Sequence, residues 1–322
     1  MFAMLGGAFP ADVESAVDAQ LDAGLELVTD GRETLPAAVG ARAALLDDLL
    51  AGRGSGAVAA WNRAEQRLAG RAVAGPTVAV AVAVAATMPG PWSLAAADGG
   101  VRVRGARAIE IGEALGDEVA ALRAAGCTLV RIDEPTALDL AAGADLVAAF
   151  TAAHGRLGRA SGVGDDAVHL MLALTGGSHE TVGARALADL AYASFLFDLV
   201  RGPDDWRLIA AMPGDRGIVC GGVDAATPIG DAPEVLAWAA HYAASTGGRG
   251  LARVGLATTG SLAALDIAAA LGKVRSLVEG ARIAALPRDE LALALDPRAV
   301  DMRSAALGRW DPDVRPARRP DR

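Results

Sequence analysis

Short apolar runs alternate with longer amphipathic stretches along this chain. The runs have the lengths of buried strands, and the stretches between them repeat apolar residues at the three-to-four-residue spacing of a helix. The pattern predicts eight strands, at residues 1–8, 25–29, 72–84, 128–132, 167–174, 191–197, 218–222 and 253–256. Because strands and helices alternate, the predicted fold is α/β, a parallel (β/α)8 barrel of the TIM-barrel type.

The same pattern places residues 1–302 in one barrel domain. Residues 37–70 have helical periodicity between the second and third predicted strands, with a break at the sequence GRGSG (52–56). We therefore expect a helical insertion there. Residues 303–322 are rich in Arg, Asp and Pro and have little apolar periodicity, which predicts a disordered tail.

Charge and hydropathy exclude several classes of partner. The net charge is −9, so we expect no nucleic-acid binding. The first residues lack the basic segment and the long apolar run of a signal peptide, and the most apolar stretch, 73–88, is interrupted by Gly75 and Pro76. These features predict a cytoplasmic protein that acts on a small molecule and has no membrane partner. The oligomeric state is left open.

The amino-acid composition indicates what fills the core. Hydrophobic residues make up 52 % of the chain but aromatic residues only 4 %, so Ala, Val and Leu must supply most of the buried surface. The only two cysteines, Cys127 and Cys220, have no CxxC spacing. We interpret them as small buried thiols in a reducing compartment.

The segment GCTLVRIDEPTAL (126–138) is the strongest candidate for chemistry. A predicted buried strand leads directly into Asp133 and Glu134, and Pro135 ends the pairing. Successive strand residues point to opposite sides, so one carboxylate is expected to face a site while the other braces the loop. Enzymes of this fold place their chemistry at the carboxyl ends of the strands.

Further polar residues follow other predicted strands. Asp30 and Arg32 follow the second strand, and Arg32 is expected either to bind an anion or to pair internally with Asp30 or Asp133. The histidine of the fifth strand, His169, is either a catalytic group or a core residue. After the last two strands come Asp224, a catalytic candidate, and the sequence TTGS, in which Thr258, Thr259 and Ser261 are expected to form an anion cradle at a helix N-terminus or simply to cap it.

Seven segments in chain order carry a family resemblance. They resemble the motifs of the cobalamin-independent methionine synthase family, specifically its catalytic barrel, which is grouped with the uroporphyrinogen decarboxylase-like barrels. The segments are LGGAFP (5–10), GLELVTDGRE (24–33), AGPT (74–77), RIDEP (131–135), SFLFD (194–198), GGVDAATP (221–228) and LATTGSLAAL (256–265).

The resemblance implies a changed site. In the family, His, Cys, Glu and Cys hold a zinc ion that activates a thiol; here the glutamate position falls on Leu196 and the last cysteine on Thr259. The family's H-x-C falls on residues 169–171, which keep His169 but replace the cysteine with Met171. We therefore expect no zinc. Asp133 matches the aspartate that holds the substrate ammonium, whereas Arg32 falls where the family has a glutamate.

Three functions stay open from the sequence. The first is a methionine synthase-like methyl or one-carbon transferase for a small thiol or amino acid that works without zinc and admits a folate as co-substrate. In it Asp133, His169 and Asp224 are catalytic, and Arg32, Asp30, Glu134, Thr258, Thr259 and Ser261 bind the substrate. The second is a metal-free decarboxylase of the same superfamily that anchors a carboxylate on Arg32. The third is a non-catalytic binding barrel.

Overall fold

A computed structural model describes residues 1–72, 82–96, 101–137, 140, 143–162 and 164–295. The AGPT motif (74–77), most of the predicted third strand and the whole predicted tail (303–322) lie outside the described residues. No helix in the described ranges is long and apolar enough to cross a membrane.

Eight parallel strands form the centre of the molecule. They are β1 (Phe2–Met4), β2 (Leu27–Thr29), β3 (Ala83–Pro89), β4 (Leu129–Glu134), β5 (His169–Leu174), β6 (Ser194–Asp198), β7 (Gly217–Val223) and β8 (Val254–Thr258). Hydrogen-bonded neighbours follow the order β1-β8-β7-β6-β5-β4-β3-β2, so the sheet curls into a nearly closed barrel. The predicted (β/α)8 barrel is confirmed.

Helices surround the sheet. They are α1 (Val13–Asp22), α2 (Val39–Leu50), α3 (Ala57–Ala72), α4 (Pro91–Ala95), α5 (Val101–Ala124), α6 (Ala144–Gly158), α7 (Ala184–Ala188), α8 (Trp206–Ala211), α9 (Pro233–Ser245), α10 (Ile267–Ala284) and α11 (Arg288–Ala294). Aspartates start two of them: Asp12 accepts from Ser15 N before α1, and Asp266 accepts from Ala269 N before α10.

The predicted bounds of the third strand are wrong. β3 begins at Ala83 and runs through Met88 to Pro89, beyond the predicted end of the strand at residue 84. Its register explains the shift, because Ala83 lies beside Leu27 of β2 and Pro89 lies beside Asp133 of β4. Pro89 is the last strand residue, where the missing N–H costs little.

The expected helical insertion consists of α2 and α3, with the GRGSG break between them. Two side chains, Glu118 and Arg32, hold this break against the barrel. Glu118 of α5 accepts from the Ser55 and Ala57 amides at 2.8 and 3.0 Å, and Arg32 donates to the Ser55 carbonyl at 2.8 Å. The loop between α2 and α3 is therefore fixed from two sides.

The interior of the barrel is packed, as expected for this fold. A cluster of fully or nearly buried apolar side chains fills it, namely Met4, Leu27, Ala85, Met171, Ala173, Leu196, Val219 and Ala257. These residues come from every strand except β4. At the equivalent position β4 supplies Arg131, whose side chain has no exposed surface. A charged group therefore occupies part of an otherwise apolar interior.

Candidate functional site

Asp133 lies at the carboxyl end of β4 and keeps 13 % of its side-chain surface exposed. One carboxylate oxygen accepts from Arg131 Nε at 2.7 Å, and the other accepts from Arg131 Nη2 at 3.1 Å and from Thr34 Oγ1 at 2.8 Å. This two-point pairing with a planar guanidinium fixes the orientation of the carboxylate. Asp133 is thus a rigid acceptor at the mouth of the barrel.

Sequence reasoning missed Arg131, the partner of Asp133. From inside the barrel its guanidinium reaches Asp133 and also donates to the carbonyl of Leu5, which follows β1 on the other side of the barrel. The signal was present in the sequence, because residues two apart on a strand share a face. Arg131 and Asp133 therefore had to lie side by side wherever Asp133 pointed.

Arg32 pairs internally, which was one of its two predicted roles. Its Nε lies 3.5 Å from Asp30 Oδ2, and its Nη2 donates to the Thr87 carbonyl at 2.7 Å. Asp30 is fully buried and accepts from Thr87 Oγ1 at 2.6 Å. Burial raises the pKa of Asp30, and the charge of Arg32 opposes that rise. Most of the donors of Arg32 are used within the fold.

Glu134 faces away from Asp133, as the strand period predicts. Its oxygens accept from the Trp92 and Ser93 amides at 2.8 and 2.7 Å, which holds the start of α4, and from His154 at 3.0 Å. His154 in turn contacts the hydroxyl of Tyr192 at 2.6 Å. All three side chains of this chain of contacts are buried. Glu134 braces the loop, and the structure gives it no open face for a substrate.

Asp224 and Asp198 also serve their own loops. Asp224 accepts from Ala226 N at 2.9 Å and from Thr227 Oγ1 at 3.1 Å. Asp198 is fully buried and accepts from three backbone amides, including Gly176 N at 3.0 Å. The contacts of Asp224 are those of a turn, and none of them reaches Asp133 or Arg32.

The predicted helix N-terminus at Thr258, Thr259 and Ser261 is wrong. The helix α10 begins only at Ile267, with Asp266 as its cap. The hydroxyls instead tie strand ends together: Thr258 accepts from Gly6 N at 2.8 Å, and Thr259 accepts from Ala225 N at 3.0 Å. Gly6 permits the first contact, because a Cβ there would overlap the Thr258 carbonyl. Ser261 donates to Glu33 at 2.9 Å.

His169, predicted to be either a catalytic group or a core residue, lies at the opposite end of the barrel from Asp133, so the two side chains do not share a site. It is the first residue of β5, whereas the mouth is formed by the last residues of the strands. Its Nε2 lies 2.8 Å from Ser194 Oγ, at the start of β6. Partial burial lowers the pKa of His169. The predicted strand, 167–174, also has His169 near its start, so the strand bounds alone indicated a place away from the mouth.

The donor set does not fit zinc. Met171 and Leu196 are fully buried in the apolar interior cluster, and the Thr259 hydroxyl already serves Ala225 N. Nearer the mouth on the same face of β5 lies Ala173, which carries no ligand atom. The described residues contain no group of three or more His, Cys, Asp or Glu side chains arranged to hold a metal ion.

Comparison with solved structures supports the barrel fold. A B12-independent methionine synthase from Shewanella sp. W3-18-1, in complex with selenomethionine, aligns with a TM-score of 0.62 and 14 % identity over 90 % of this chain and 98 % of that one. A vitamin-B12-independent methionine synthase candidate from Listeria monocytogenes aligns with a TM-score of 0.56 and 16 % identity over 84 % and 85 %. A methyltransferase from Methanosarcina mazei gives 0.51 and 18 % over 85 % and 78 %.

Sequence comparison gives a family. The model of the cobalamin-independent synthase catalytic domain matches residues 8–240, a range that contains Asp30, Arg32, Asp133 and Asp224. No curated protein matches the sequence. The family match covers most of the chain, whereas the structural likeness at these identities shows the fold alone.

The ion pair inside the barrel predicts a non-additive effect on stability. Replacing Arg131 by Met leaves Asp133 without its main partner, so we expect a loss of about 3–5 kcal/mol in the free energy of unfolding. Arg131→Met combined with Asp133→Asn should lose less than the sum of the two single variants. Urea unfolding measures all three. The exposed Arg282–Glu279 pair is the control, and Arg282→Met should cost less than about 1 kcal/mol. Additive losses would contradict the pairing.

The cysteines should be unreactive in the folded protein. Burial raises the pKa of Cys127 to about 11 and that of Cys220 to about 12. Only the thiolate is alkylated, and a rise of about two pKa units lowers its fraction roughly a hundredfold. We expect iodoacetamide at pH 8 to label neither thiol in native protein and both in urea, as measured by mass spectrometry. Rapid labelling of native Cys127 would show a thiolate there.

Proposed function

This chain belongs to the family of cobalamin-independent synthase catalytic domains, as its motifs predicted, and from that membership we propose that it binds a small amino acid or thiol at the mouth of the barrel and transfers a methyl or other one-carbon group there. A folate as the co-substrate is part of this proposal. The likeness to the Shewanella synthase supports the choice of ligand class, since that protein was solved with selenomethionine.

The observation that carries the proposal is the placement of Asp133. It is a carboxylate at a strand's carboxyl end, partly exposed, and held by donors from Arg131 and Thr34. A carboxylate with one open edge accepts well from an ammonium group, and its fixed orientation lowers the entropy cost of binding. In this proposal Asp133 binds the substrate ammonium, and Arg131 and Thr34 are positioning residues.

The proposal includes no zinc step, because the donors present do not fit that ion. A free thiol has a pKa of about 8.5 and is mostly protonated at neutral pH, so transfer to it needs another means of removing the proton. Zinc-free binding is supported by the apolar side chains at the ligand positions, Met171 and Leu196. The same feature supports the second candidate function, a barrel that binds the amino acid without turnover.

The decarboxylase alternative receives less support. It needs Arg32 as an open anchor for a carboxylate. The guanidinium instead contacts Asp30, the Ser55 carbonyl and the Thr87 carbonyl, and 18 % of the Arg32 side chain is exposed. An arginine with these partners has little capacity left for a bidentate anion contact.

Asp133→Asn tests the proposed ligand site. We expect L-methionine and L-homocysteine to bind the native chain and to bind this variant roughly ten- to hundredfold more weakly, the loss expected for one charge-assisted hydrogen bond. Isothermal titration calorimetry measures the affinities. Asp48→Asn, at an exposed position of α2, is the matched control and should bind as the native chain does. Equal affinity of the Asp133 variant would remove Asp133 from the site.

Metal analysis tests the proposal that this chain works without zinc. After dialysis without a chelator, we expect the purified chain to carry well under one zinc per molecule, because neither Leu196 nor Thr259 supplies a thiolate or carboxylate. Added zinc should leave the affinity for L-methionine unchanged. A stoichiometric, tightly held zinc, or methyl transfer to homocysteine at about 1 per second, would overturn this part.

A further inference from the structure

The end of the barrel opposite the mouth contains a cavity of about 310 Å³. Residues at or just before strand starts line it, among them Phe2, Leu129, His169, Ser194 and Gly217. Since all strands are parallel, these residues share the amino-terminal end of the barrel, far from Asp133. The volume lies at the lower end of the range for small-molecule sites.

The cavity lies below the packed apolar cluster of the interior, at the level of the first strand residues. β7 and β8 contribute glycines, Gly217 and Gly255, where the layer above has Val219 and Ala257. A Cβ on Gly255 would come within 2.5 Å of the Phe2 ring, and one on Gly217 within 2.9 Å of Ser194 Cβ. The glycines thus let Phe2 and Ser194 lie against the sheet, where both side chains line the cavity. The upper boundary of this space is Val219, part of the apolar interior.

Opposite charges lie at the cavity's rim. Asp215 and Arg253 both line the cavity, and both are exposed. Arg253 donates to the Gly214 carbonyl at 3.1 Å. Within the described part of the chain, neither Asp215 nor Arg253 forms an ion pair with a charged side chain. Charges that are not neutralised by the protein remain available to a ligand.

The cavity combines an apolar wall with a carboxylate and a guanidinium at its rim. This combination suits a ligand that has an apolar body and carries both charges. We propose that this cavity binds a free amino acid with an apolar side chain. Its ammonium contacts Asp215, its carboxylate contacts Arg253, and its side chain lies against Phe2 and Leu129. The site goes beyond the function proposed for the mouth, since no residue is shared between the two.

His169 provides a reporter inside the proposed site. The chain has four histidines, and the ring resonance lost in His169→Gln identifies that of His169, while Gln keeps a polar group beside Ser194. With L-leucine as the probe, we expect the His169 ring resonance to shift saturably in proton–carbon spectra of the full chain. The other three ring resonances should stay in place. Absence of a saturable shift would overturn the proposal.

Charge variants test the contacts at the rim. Asp215→Asn and Arg253→Gln should each weaken L-leucine binding roughly tenfold or more, because each removes a charge-assisted contact. Asp189→Asn and Arg185→Gln, exposed charges at and beside α7, are matched controls and should bind as the native chain does. 4-Methylpentanoate and 3-methylbutylamine, which each lack one charge of leucine, should bind more weakly by a similar factor. Equal affinity for all three compounds would contradict recognition of a zwitterion.

Asp133→Asn separates this site from the mouth. The His169 shift and its midpoint should persist in this variant, even if methionine binding at the mouth is lost. If the shift disappears with Asp133→Asn, the ligand binds at the mouth and the second site is refuted. If methionine titrations show no role for Asp133 while the shift remains, only the function proposed for the mouth fails.

Discussion

A buried arginine inside the barrel sets the arrangement of the mouth. The Arg131 guanidinium lies in an apolar interior, where an unpaired charge would cost several kcal/mol, so its partners are fixed. Asp133 must take its two-point pairing, and the Leu5 carbonyl must accept from the far side of the barrel. Thr34 adds the loop after β2 to the same network. The Arg131–Asp133 pair thus joins three strand ends, and Arg131 fixes the carboxylate that defines the candidate site.

Around this network the strand-end loops are held by their own hydrogen bonds. Asp198 and Asp224 close turns, Thr258 and Thr259 tie neighbouring strand ends, and Glu134 holds α4. Such contacts stabilise a rigid mouth, and they also occupy the polar groups that a substrate would need. Asp133 and Asp224 are both partly exposed, but only Asp133 is held from outside its own turn, by Arg131 in the barrel interior and by Thr34. The candidate chemistry therefore concentrates on one side of the mouth.

Periodicity predicted the parts of the structure that repeat. Alternating strands and helices gave the barrel, and the family motifs placed Asp133 at a strand end. Single-residue events were harder: β3 begins at Ala83 because its partners on both sides fix the register. His169 is different, because the predicted strand 167–174 already had it near the amino-terminal end of β5. Neither register nor strand bounds follow from local sequence. The pairing of Arg131 with Asp133 was readable from their two-residue spacing, since both lie on one face.

The anchored loop between α2 and α3 has a consequence for how this barrel can change over evolutionary time. Ser55 is held by Glu118 from one side and by Arg32 from the other, and both side chains are largely removed from solvent. A deletion of this loop would remove hydrogen-bond partners of the buried Glu118 carboxylate and of the nearly buried Arg32 guanidinium at the same time. The insertion can therefore be shortened only together with substitutions at both positions.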